Sequence, residues 1–215
     1  MIKAIIFDMD GVISDTQKPH SSVESELLGR YGVKISPEKI TRKYAGVRTR
    51  DIIEELLSKQ EKEYDIEEII REKWERLEKL ASVRVEEVMG AKKLIRRLYD
   101  EGFALAVGSA SNKRYVNTVL EKLDVKKYFK EIVSGDMVKK GKPDPEIFLL
   151  AAEKLGISPE ESLVIEDAVS GMQAAKNAGM YCIGYVKNKE KTYPTINLVS
   201  SLNDINSDYI KRLGK

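Results

Sequence analysis

Short apolar segments recur along the chain and have the pattern of β-strands. Each is a brief run of apolar, often β-branched residues without polar alternation, which is typical of a strand buried on both faces. They occupy residues 2–7, 103–107, 131–133, 163–165 and 181–184. The tail, residues 197–215, predicts one further short strand and a final helix.

Segments with apolar residues at helical spacing separate the later strands. They predict helices at residues 91–100, 112–123, 145–155 and 168–178. The third helix has Asp144 as its N-cap residue and Pro145 at its first position. Strands that alternate with helices predict a parallel sheet covered on both faces, so we expect an α/β, Rossmann-like doubly wound core.

Residues 15–87 interrupt this alternation, because they contain no convincing strand. They predict helices at residues 21–31, 37–44, 49–60 and 66–80. We interpret the charged segment 61–79 as a solvated helix face, with Trp74 as a packing anchor. We therefore expect two domains, an α/β core from residues 1–14 and 86–215 and a small helical domain from residues 15–85.

The composition narrows the classes of function. The 215 residues carry 37 Lys and Arg against 35 Asp and Glu, a formal net charge of +2, so no broad positive field favours nucleic acid or an anionic membrane. The single cysteine, Cys182, cannot form an intrachain disulfide, which favours a reducing compartment. The apolar run that ends before Asp8 is too short for a signal peptide or a membrane span, and we expect a cytoplasmic protein.

Two carboxylates follow the first predicted strand. Asp8 and Asp10 stand at its carboxyl end, where ligands bind in parallel α/β sheets, and Gly11 allows a tight turn after them. Such a turn can direct both side chains and several backbone N–H groups at one point, where they would hold a hard cation and a phosphate. The alternative for this pair alone is two ordinary turn aspartates.

Three later loops also carry polar groups at strand or helix ends. Residues 108–112 place small residues and a hydroxyl after the second strand, although they also fit an ordinary helix N-cap. Lys142 is held in a stiff loop before Pro143, with a surface charge as the alternative. Glu166 and Asp167 end a buried strand, where two adjacent acids repel each other unless a cation lies between them.

These motifs, in their order along essentially the whole chain, resemble those of haloacid dehalogenase superfamily phosphatases. The closer resemblance is to the subgroup that contains β-phosphoglucomutase and sugar-phosphate or phosphoglycolate phosphatases. It rests on IIFDMDGVISDT at residues 5–16, GKPDP at 141–145, IED at 165–167 and the following Ser170-Gly171. The resemblance implies that the helical domain is a cap inserted after the first strand.

The resemblance further implies a two-step phosphoryl transfer. Asp8 would attack phosphorus and become an aspartyl phosphate, while Asp10 would serve as general acid and then general base. Mg²⁺ would be bound by the Asp8 carboxylate, the Asp10 carbonyl and Asp167, with Glu166 assisting directly or through water.

Two further core residues have implied roles in the same reaction. Ser109 would hydrogen-bond a phosphoryl oxygen, and Lys142 would neutralise charge on the transferring group.

The substrate would lie between the core and the cap. The positions that would bind it are Gly11, Thr16, His20, Gly46, Arg48, Arg50, Ala110, Ser111 and Asn112. Within this set, Thr16 would lie at the hinge, and His20 would contact Asp10 when the cap closes. Arg48 or Arg50 would meet an anionic part of the substrate.

Two departures from the mutase motifs favour hydrolysis over isomerisation. Thr49 stands where the mutases carry an arginine for a second phosphate, and Asn112-Lys113 reverses their Lys-Asn order. We therefore expect a Mg²⁺-dependent phosphatase acting on a small phosphomonoester of the sugar phosphate or phosphoglycolate class, with a β-phosphoglucomutase-like mutase as the alternative. We expect a monomer whose partner is a small phosphorylated metabolite, and neither nucleic acid nor membrane.

Other classes fit the motifs less well. A binding or regulatory protein on this fold would be expected to lack Asp8 or Asp10, and both are present. The turn after the first strand lacks the glycine-rich fingerprint of a dinucleotide-binding dehydrogenase. A dehalogenase of the same superfamily would leave Asp10 and the 166–167 acid pair unexplained.

Overall fold

A computed structural model describes residues 1–58, 60, 62–187 and 192–213. Its sheet has six strands in these ranges, all parallel to their neighbours, in the order β3-β2-β1-β4-β5-β6. They are β1 Ala4–Phe7, β2 Ala104–Ser109, β3 Glu131–Ser134, β4 Ser162–Glu166, β5 Tyr181–Tyr185 and β6 Leu198–Val199. The five predicted strands and the short strand of the tail are confirmed.

Helices cover both faces of the sheet because consecutive strand residues point to opposite faces. In β1, Ile5 and Phe7 belong to the apolar cluster formed with α5 (Ala91–Asp100) and α6 (Lys113–Lys122). Ala4 and Ile6 belong to the cluster on the other face, with α7 (Glu146–Leu155) and α8 (Val169–Asn177). The predicted doubly wound α/β fold is therefore confirmed, and α9 (Ser207–Leu213) is the predicted final helix.

The helix boundaries follow the predicted capping residues. The prediction of Asp144 as N-cap and Pro145 as first helical residue is wrong by one residue: Pro145 is the N-cap, α7 begins at Glu146, and the Glu146 N–H donates to the Asp144 side chain at 3.1 Å. Asn112 likewise precedes α6 and accepts from the N–H of Tyr115 at 2.8 Å. The N-cap interpretation of Asn112 is thus correct as a statement about local structure.

Four helices lie between β1 and α5 among the described residues, and we call residues 15–85 the helical insertion. They are α1 Gln17–Arg30, α2 Pro37–Tyr44, α3 Thr49–Leu57 and α4 Ile66–Val83. The predicted helix at residues 21–31 starts later than α1, which begins at Gln17. Pro19 can belong to α1 because it lies in the first turn, where its missing N–H costs no helical hydrogen bond. The predicted helix at residues 49–60 extends beyond the end of α3 at Leu57. Residue 59 of that prediction lies outside the described ranges.

The two chain segments that connect the insertion to the core lie side by side. Ser14 pairs with Glu87 in an antiparallel bridge, and the N–H of Asp15 donates to the carbonyl of Glu86 at 2.9 Å. Two apolar clusters lie wholly within the insertion, around Ile53 and Ile40. These features support the predicted division into residues 1–14 with 86–215 and residues 15–85, which remains a prediction.

The insertion also packs on the core. Trp74 of α4 lies 5.6 Å from Tyr115 of α6, measured between ring centroids, and both belong to the large core cluster. Trp74 is thus the packing anchor that the sequence predicts. In the described ranges, no helix is long and apolar enough to cross a bilayer.

The two-layer core predicts how leucine truncations differ. Leu98 on α5 is fully buried, whereas Leu149 on α7 is 38% exposed. We expect Leu98→Ala to lower the free energy of unfolding by about 2–5 kcal/mol, because it removes buried methyl groups and leaves a cavity. Leu149→Ala, the matched control, should cost less than about 1 kcal/mol. Denaturant titration measures both, and equal losses would contradict the assignment of α5 to the core layer.

Candidate active site

The register of the sheet brings the predicted motifs to one edge. Phe7 of β1 pairs with Val107 of β2 and with Ile165 of β4, so the residues that follow each strand lie side by side. The N–H of Asp8 donates to the carbonyl of Ile165 at 3.0 Å and continues the strand pairing. Chain order reverses across β1, because β2 lies on one side and β4 on the other, and ligand sites form beyond the strand ends at such a point.

Lys142 connects the ends of β1 and β4. Its Nζ donates to Asp8 Oδ1 at 2.6 Å and to Glu166 Oε1 at 2.8 Å, and its side chain has no exposed surface. The ammonium also lies 4.8 Å from the ring centroid of Phe148. The second oxygen of Glu166 accepts from the N–H of Ala168 at 2.6 Å, so that carboxylate is fully engaged. Lys142 is therefore a buried cation and not a surface charge.

The positive charge of Lys142 does not balance the acids around it, Asp8, Glu166 and Asp167. Burial raises the pKa of Asp8 to about 7, and Glu166 and Asp10 add to the effect while Lys142 opposes it. Burial and the charges of Glu166 and Asp8 also raise the pKa of Asp167 well above its usual range. Burial disfavours the charged form of Lys142, but the two carboxylates outweigh it and raise the pKa of the lysine. One lysine faces Asp8, Glu166 and Asp167, so a further positive charge would favour the ionised forms of Asp8 and Asp167.

Asp10 has a different environment, made of hydroxyl groups and a histidine. Thr16 Oγ1 donates to its Oδ1 at 2.5 Å, and Oδ2 accepts from Ser111 Oγ at 2.8 Å and Ser109 Oγ at 3.3 Å. His20 Nε2 lies 3.4 Å from Oδ1 but makes no hydrogen bond of good geometry there. Burial raises the pKa of Asp10, yet the His20 charge and the hydroxyl donors outweigh it and hold the pKa below its usual range. Asp10 is thus held as a carboxylate.

The carbonyl oxygen of Asp10 and the carboxylate of Asp167 are oxygen atoms suited to a hard cation, and both contact Gln17. The Gln17 side-chain amide donates to the Asp10 carbonyl at 3.2 Å and to Asp167 Oδ2. The other oxygen of Asp167, Oδ1, is buried without a hydrogen-bond partner. Carboxylate and carbonyl oxygens are the ligands that Mg²⁺ prefers, so the donor set of Asp8, Asp10 and Asp167 fits that ion.

The side chains alone do not make a complete metal cluster. Within the described ranges, no three His, Cys, Asp or Glu side chains form a group that could hold a metal ion. A cation at this position would therefore depend on the Asp10 carbonyl as well as on carboxylates. Glu166, predicted to assist, is turned to Lys142 and the Ala168 N–H.

A cavity between the core and the insertion contains the two aspartates. Asp8, Asp10, Ala110 and Ser111 line it from the core, and His20 and Gly46 are among the insertion residues on the opposite wall. Gly46 has φ +75°, and a Cβ there would lie 2.7 Å from the hydroxyl of Ser170, which donates to the carbonyl of Ala45. The insertion loop thus meets the core where only a glycine fits.

Several predicted substrate-binding residues lie elsewhere. Arg48 binds both oxygens of Asp51, at 2.9 and 2.8 Å, and donates to the carbonyl of Val138 at 3.0 Å. Arg50 pairs with Glu54 and Glu67 on the insertion surface. Neither arginine lines the cavity, and the contact of either with an anionic part of the substrate stays a prediction.

Three more of the predicted residues act from outside the cavity wall. Thr16 is buried and bonded to Asp10, and Asn112 caps α6. Gly11, at φ +109°, lies where a Cβ would be 2.2 Å from Asp167 Oδ2. Gly11 therefore permits the approach of Asp167 to the turn that follows β1.

A polar group on the insertion wall was not predicted from the sequence. Lys73 Nζ lies 2.6 Å from Glu24 Oε1 and donates to Thr49 Oγ1 at 2.5 Å, and all three residues are buried and line the cavity. The interpretation of residues 61–79 as a solvated face is wrong at Lys73. The spacing of Lys73 could have predicted its burial, because Ile69, Lys73 and Leu77 follow the i, i+4 pattern of one buried helix face.

Comparison with known proteins shows a consistent set of relatives. The model of the haloacid dehalogenase-like hydrolases matches residues 5–185. A phosphorylated carbohydrates phosphatase of Thermotoga maritima is 34% identical, over 94% of this chain and 88% of the relative. A β-phosphoglucomutase of Bacillus subtilis is 32% identical, over 85% of this chain and 83% of the relative. The crystal structure of a β-phosphoglucomutase from Clostridium difficile has a TM-score of 0.88 at 28% identity, and covers 100% of this chain and 97% of that one.

The matched segment contains the whole set of strand-end motifs. It begins within β1, before Asp8, and ends with β5, so that Lys142 and Asp167 are included. The resemblance drawn from the motifs is confirmed, and the chain belongs to the haloacid dehalogenase-like hydrolases.

Proposed function

We propose that this chain is a Mg²⁺-dependent phosphatase that hydrolyses a small phosphorylated carbohydrate through an aspartyl phosphate at Asp8. The observation that carries the proposal is the pairing of Asp8 with the buried Lys142 while Asp10 faces the same cavity. The similarity to a phosphorylated carbohydrates phosphatase supports the substrate class.

Asp8 is suited to be the nucleophile. One of its oxygens is held by Lys142, so the carboxylate has a fixed orientation at the end of β1. In the first step a carboxylate oxygen bonds to phosphorus while the bond from phosphorus to the leaving oxygen breaks. Lys142 then lies next to the phosphoryl group and offsets its negative charge. Ser111 supplies a hydroxyl group to the cavity, and the buried Ser109 hydroxyl lies behind it, where both donate to Asp10.

Asp10 is suited to move the proton. In the described arrangement it is a carboxylate, which is the form that removes a proton from water when the aspartyl phosphate is hydrolysed. The first step needs a proton on Asp10 for the leaving oxygen. A phosphate dianion bound beside Asp10 favours that proton, because a neighbouring negative charge raises the pKa of a carboxyl group.

The donor set of Asp8, the Asp10 carbonyl and Asp167 would hold Mg²⁺, and Glu166, which is turned to Lys142 and the Ala168 N–H, would assist through water or by its charge. Bound there, the ion would reduce the repulsion between the Asp8 carboxylate and the phosphate dianion. The orphaned oxygen of Asp167 and the excess of acids over lysine support this assignment.

The second candidate is a phosphosugar mutase, favoured by the similarity to two β-phosphoglucomutases. A mutase must hold a second phosphate on the insertion side of the cavity. Arg48 and Arg50 are engaged by acidic side chains away from that wall, and no arginine of the described residues lines the cavity. This arrangement favours the hydrolase.

Replacement of the nucleophile tests the chemistry. We expect Asp8→Asn to abolish the Mg²⁺-dependent release of nitrophenol from p-nitrophenyl phosphate, because an amide oxygen cannot replace the attacking carboxylate. Asp100→Asn, at an exposed position on α5, is the matched control and should keep full activity. EDTA should abolish the wild-type reaction. Turnover by Asp8→Asn at the wild-type rate would exclude the aspartyl phosphate.

A product assay distinguishes a hydrolase from a mutase. With β-glucose 1-phosphate and a glucose bisphosphate primer, we expect inorganic phosphate to accumulate and little glucose 6-phosphate to form. The physical reason is that no arginine of the described chain lines the insertion wall, where a second phosphate would need one. Formation of glucose 6-phosphate faster than free phosphate would establish the mutase.

The raised pKa of Asp8 predicts a pH dependence of stability in the metal-free protein. Between the ordinary pKa of 3.8 and about 7, folded Asp8 keeps a proton that the unfolded chain loses. The free energy of unfolding should therefore fall as pH rises through this window, and saturating Mg²⁺ should reduce the fall by stabilising the ionised form. Denaturant titrations in EDTA and in Mg²⁺ measure both slopes. Asp8→Asn is the control, and a wild-type slope in EDTA no steeper than that of the variant would contradict the raised pKa.

A further inference from the structure

Gln17 occupies the space between two oxygens of the candidate metal site. Its Nε2 donates to the Asp10 carbonyl at 3.2 Å and to Asp167 Oδ2. Both partners are acceptors, so the amide nitrogen and not the amide oxygen must face them. The fit is tight, because a Cβ at Gly11 would lie 2.2 Å from Asp167 Oδ2 and 2.5 Å from Gln17 Nε2.

An amide N–H₂ group is the electropositive end of the glutamine side chain. It stands where a cation held by the Asp10 carbonyl and Asp167 would stand, and the two cannot share that space. We propose that Gln17 takes the place of the cation in the metal-free protein and must withdraw when Mg²⁺ binds, so that it lowers the affinity of the site. The inference rests on the metal site assigned under the proposed function.

The amide replaces the cation only in part. It leaves Asp167 Oδ1 buried without a partner, and it carries no net charge to balance the acids around Lys142. Mg²⁺ supplies both a full charge and more coordination positions. The site is therefore occupied by a weaker substitute that a cation can displace.

Gln17 also separates two spaces. It lines the cavity that contains Asp8, and it lines a surface groove together with Asp15, Glu87 and Asp167. The three acids of this groove outnumber Lys187, the lysine among its described lining residues, so the groove attracts cations, and withdrawal of the amide would widen the way from it to the oxygens of the site. Since Gln17 is the first residue of α1, the same withdrawal couples metal binding to the start of the insertion.

The affinity for Mg²⁺ itself tests the inference. Isothermal titration calorimetry with the metal-stripped protein would compare wild type with Gln17→Ala and Gln17→Met. Methionine retains the approximate length of glutamine but cannot donate. Because a hydrogen bond to a charged group changes an equilibrium constant by roughly tenfold or more, we expect both variants to bind Mg²⁺ about tenfold more tightly. Lys18→Ala, at the exposed neighbouring position, should bind as the wild type does.

Thermal unfolding gives a second, independent readout. Without metal, Gln17→Met should unfold at a lower temperature than the wild type, because Asp167 and the Asp10 carbonyl lose their donor. In saturating Mg²⁺ the two proteins should unfold at the same temperature, since the wild-type amide is then withdrawn and the variant has no amide, so neither has the Gln17 hydrogen bonds. A deficit that persists in Mg²⁺ would show an ordinary packing role and overturn the inference.

The calorimetric outcomes separate this inference from the metal site. Equal affinities, or weaker binding by both Gln17 variants, would overturn the role of Gln17 while Mg²⁺ binding stands. Binding by the variants but not by the wild type would be the strongest support. Asp167→Ala, which lacks a ligand of the proposed site, is the one variant expected not to bind Mg²⁺. If the wild type and the Gln17 variants also fail to bind Mg²⁺, both the metal site and the inference are contradicted.

Discussion

The buried ammonium group of Lys142 is the interaction on which the arrangement of the site depends. A lysine without exposed surface is stable only when its charge is compensated, and Asp8 and Glu166 provide that compensation at 2.6 and 2.8 Å. Conversely, the lysine opposes the rise that burial causes in the pKa of Asp8. The pairing therefore fixes the ends of β1 and β4 relative to the loop before α7.

Close packing around Glu166 maintains this geometry. A Cβ at Gly171 would lie 1.7 Å from Glu166 Oε1, so α8 can approach the carboxylate only with a glycine at that position. The N–H of Ala168 fixes the other oxygen. Glu166 thus has little freedom to turn toward a metal ion, and its contribution to the candidate cation site is chiefly the negative charge that it shares with Lys142.

The sequence was sufficient to predict the α/β core, its strands and the strand-end motifs. Apolar runs and helical spacing determine which segments are buried, and parallel pairing then brings Asp8, Ser109 and Glu166 to one edge. The contacts across the cavity could not be predicted in this way. They depend on how the insertion docks, which decides that Arg48 binds Asp51 and the Val138 carbonyl.

Charge balance on the insertion wall bears on the substrate. Lys73 is the buried cation that could attract a second phosphate, but Glu24 lies 2.6 Å from it and cancels its charge. The pair and the Thr49 hydroxyl together present donors and acceptors without net charge. Such a wall complements the hydroxyl groups of an uncharged sugar moiety better than it complements a second anion. The negative part of the ligand is then confined to the core side of the cavity, near Lys142, which is the distribution of charge that a phosphomonoester has.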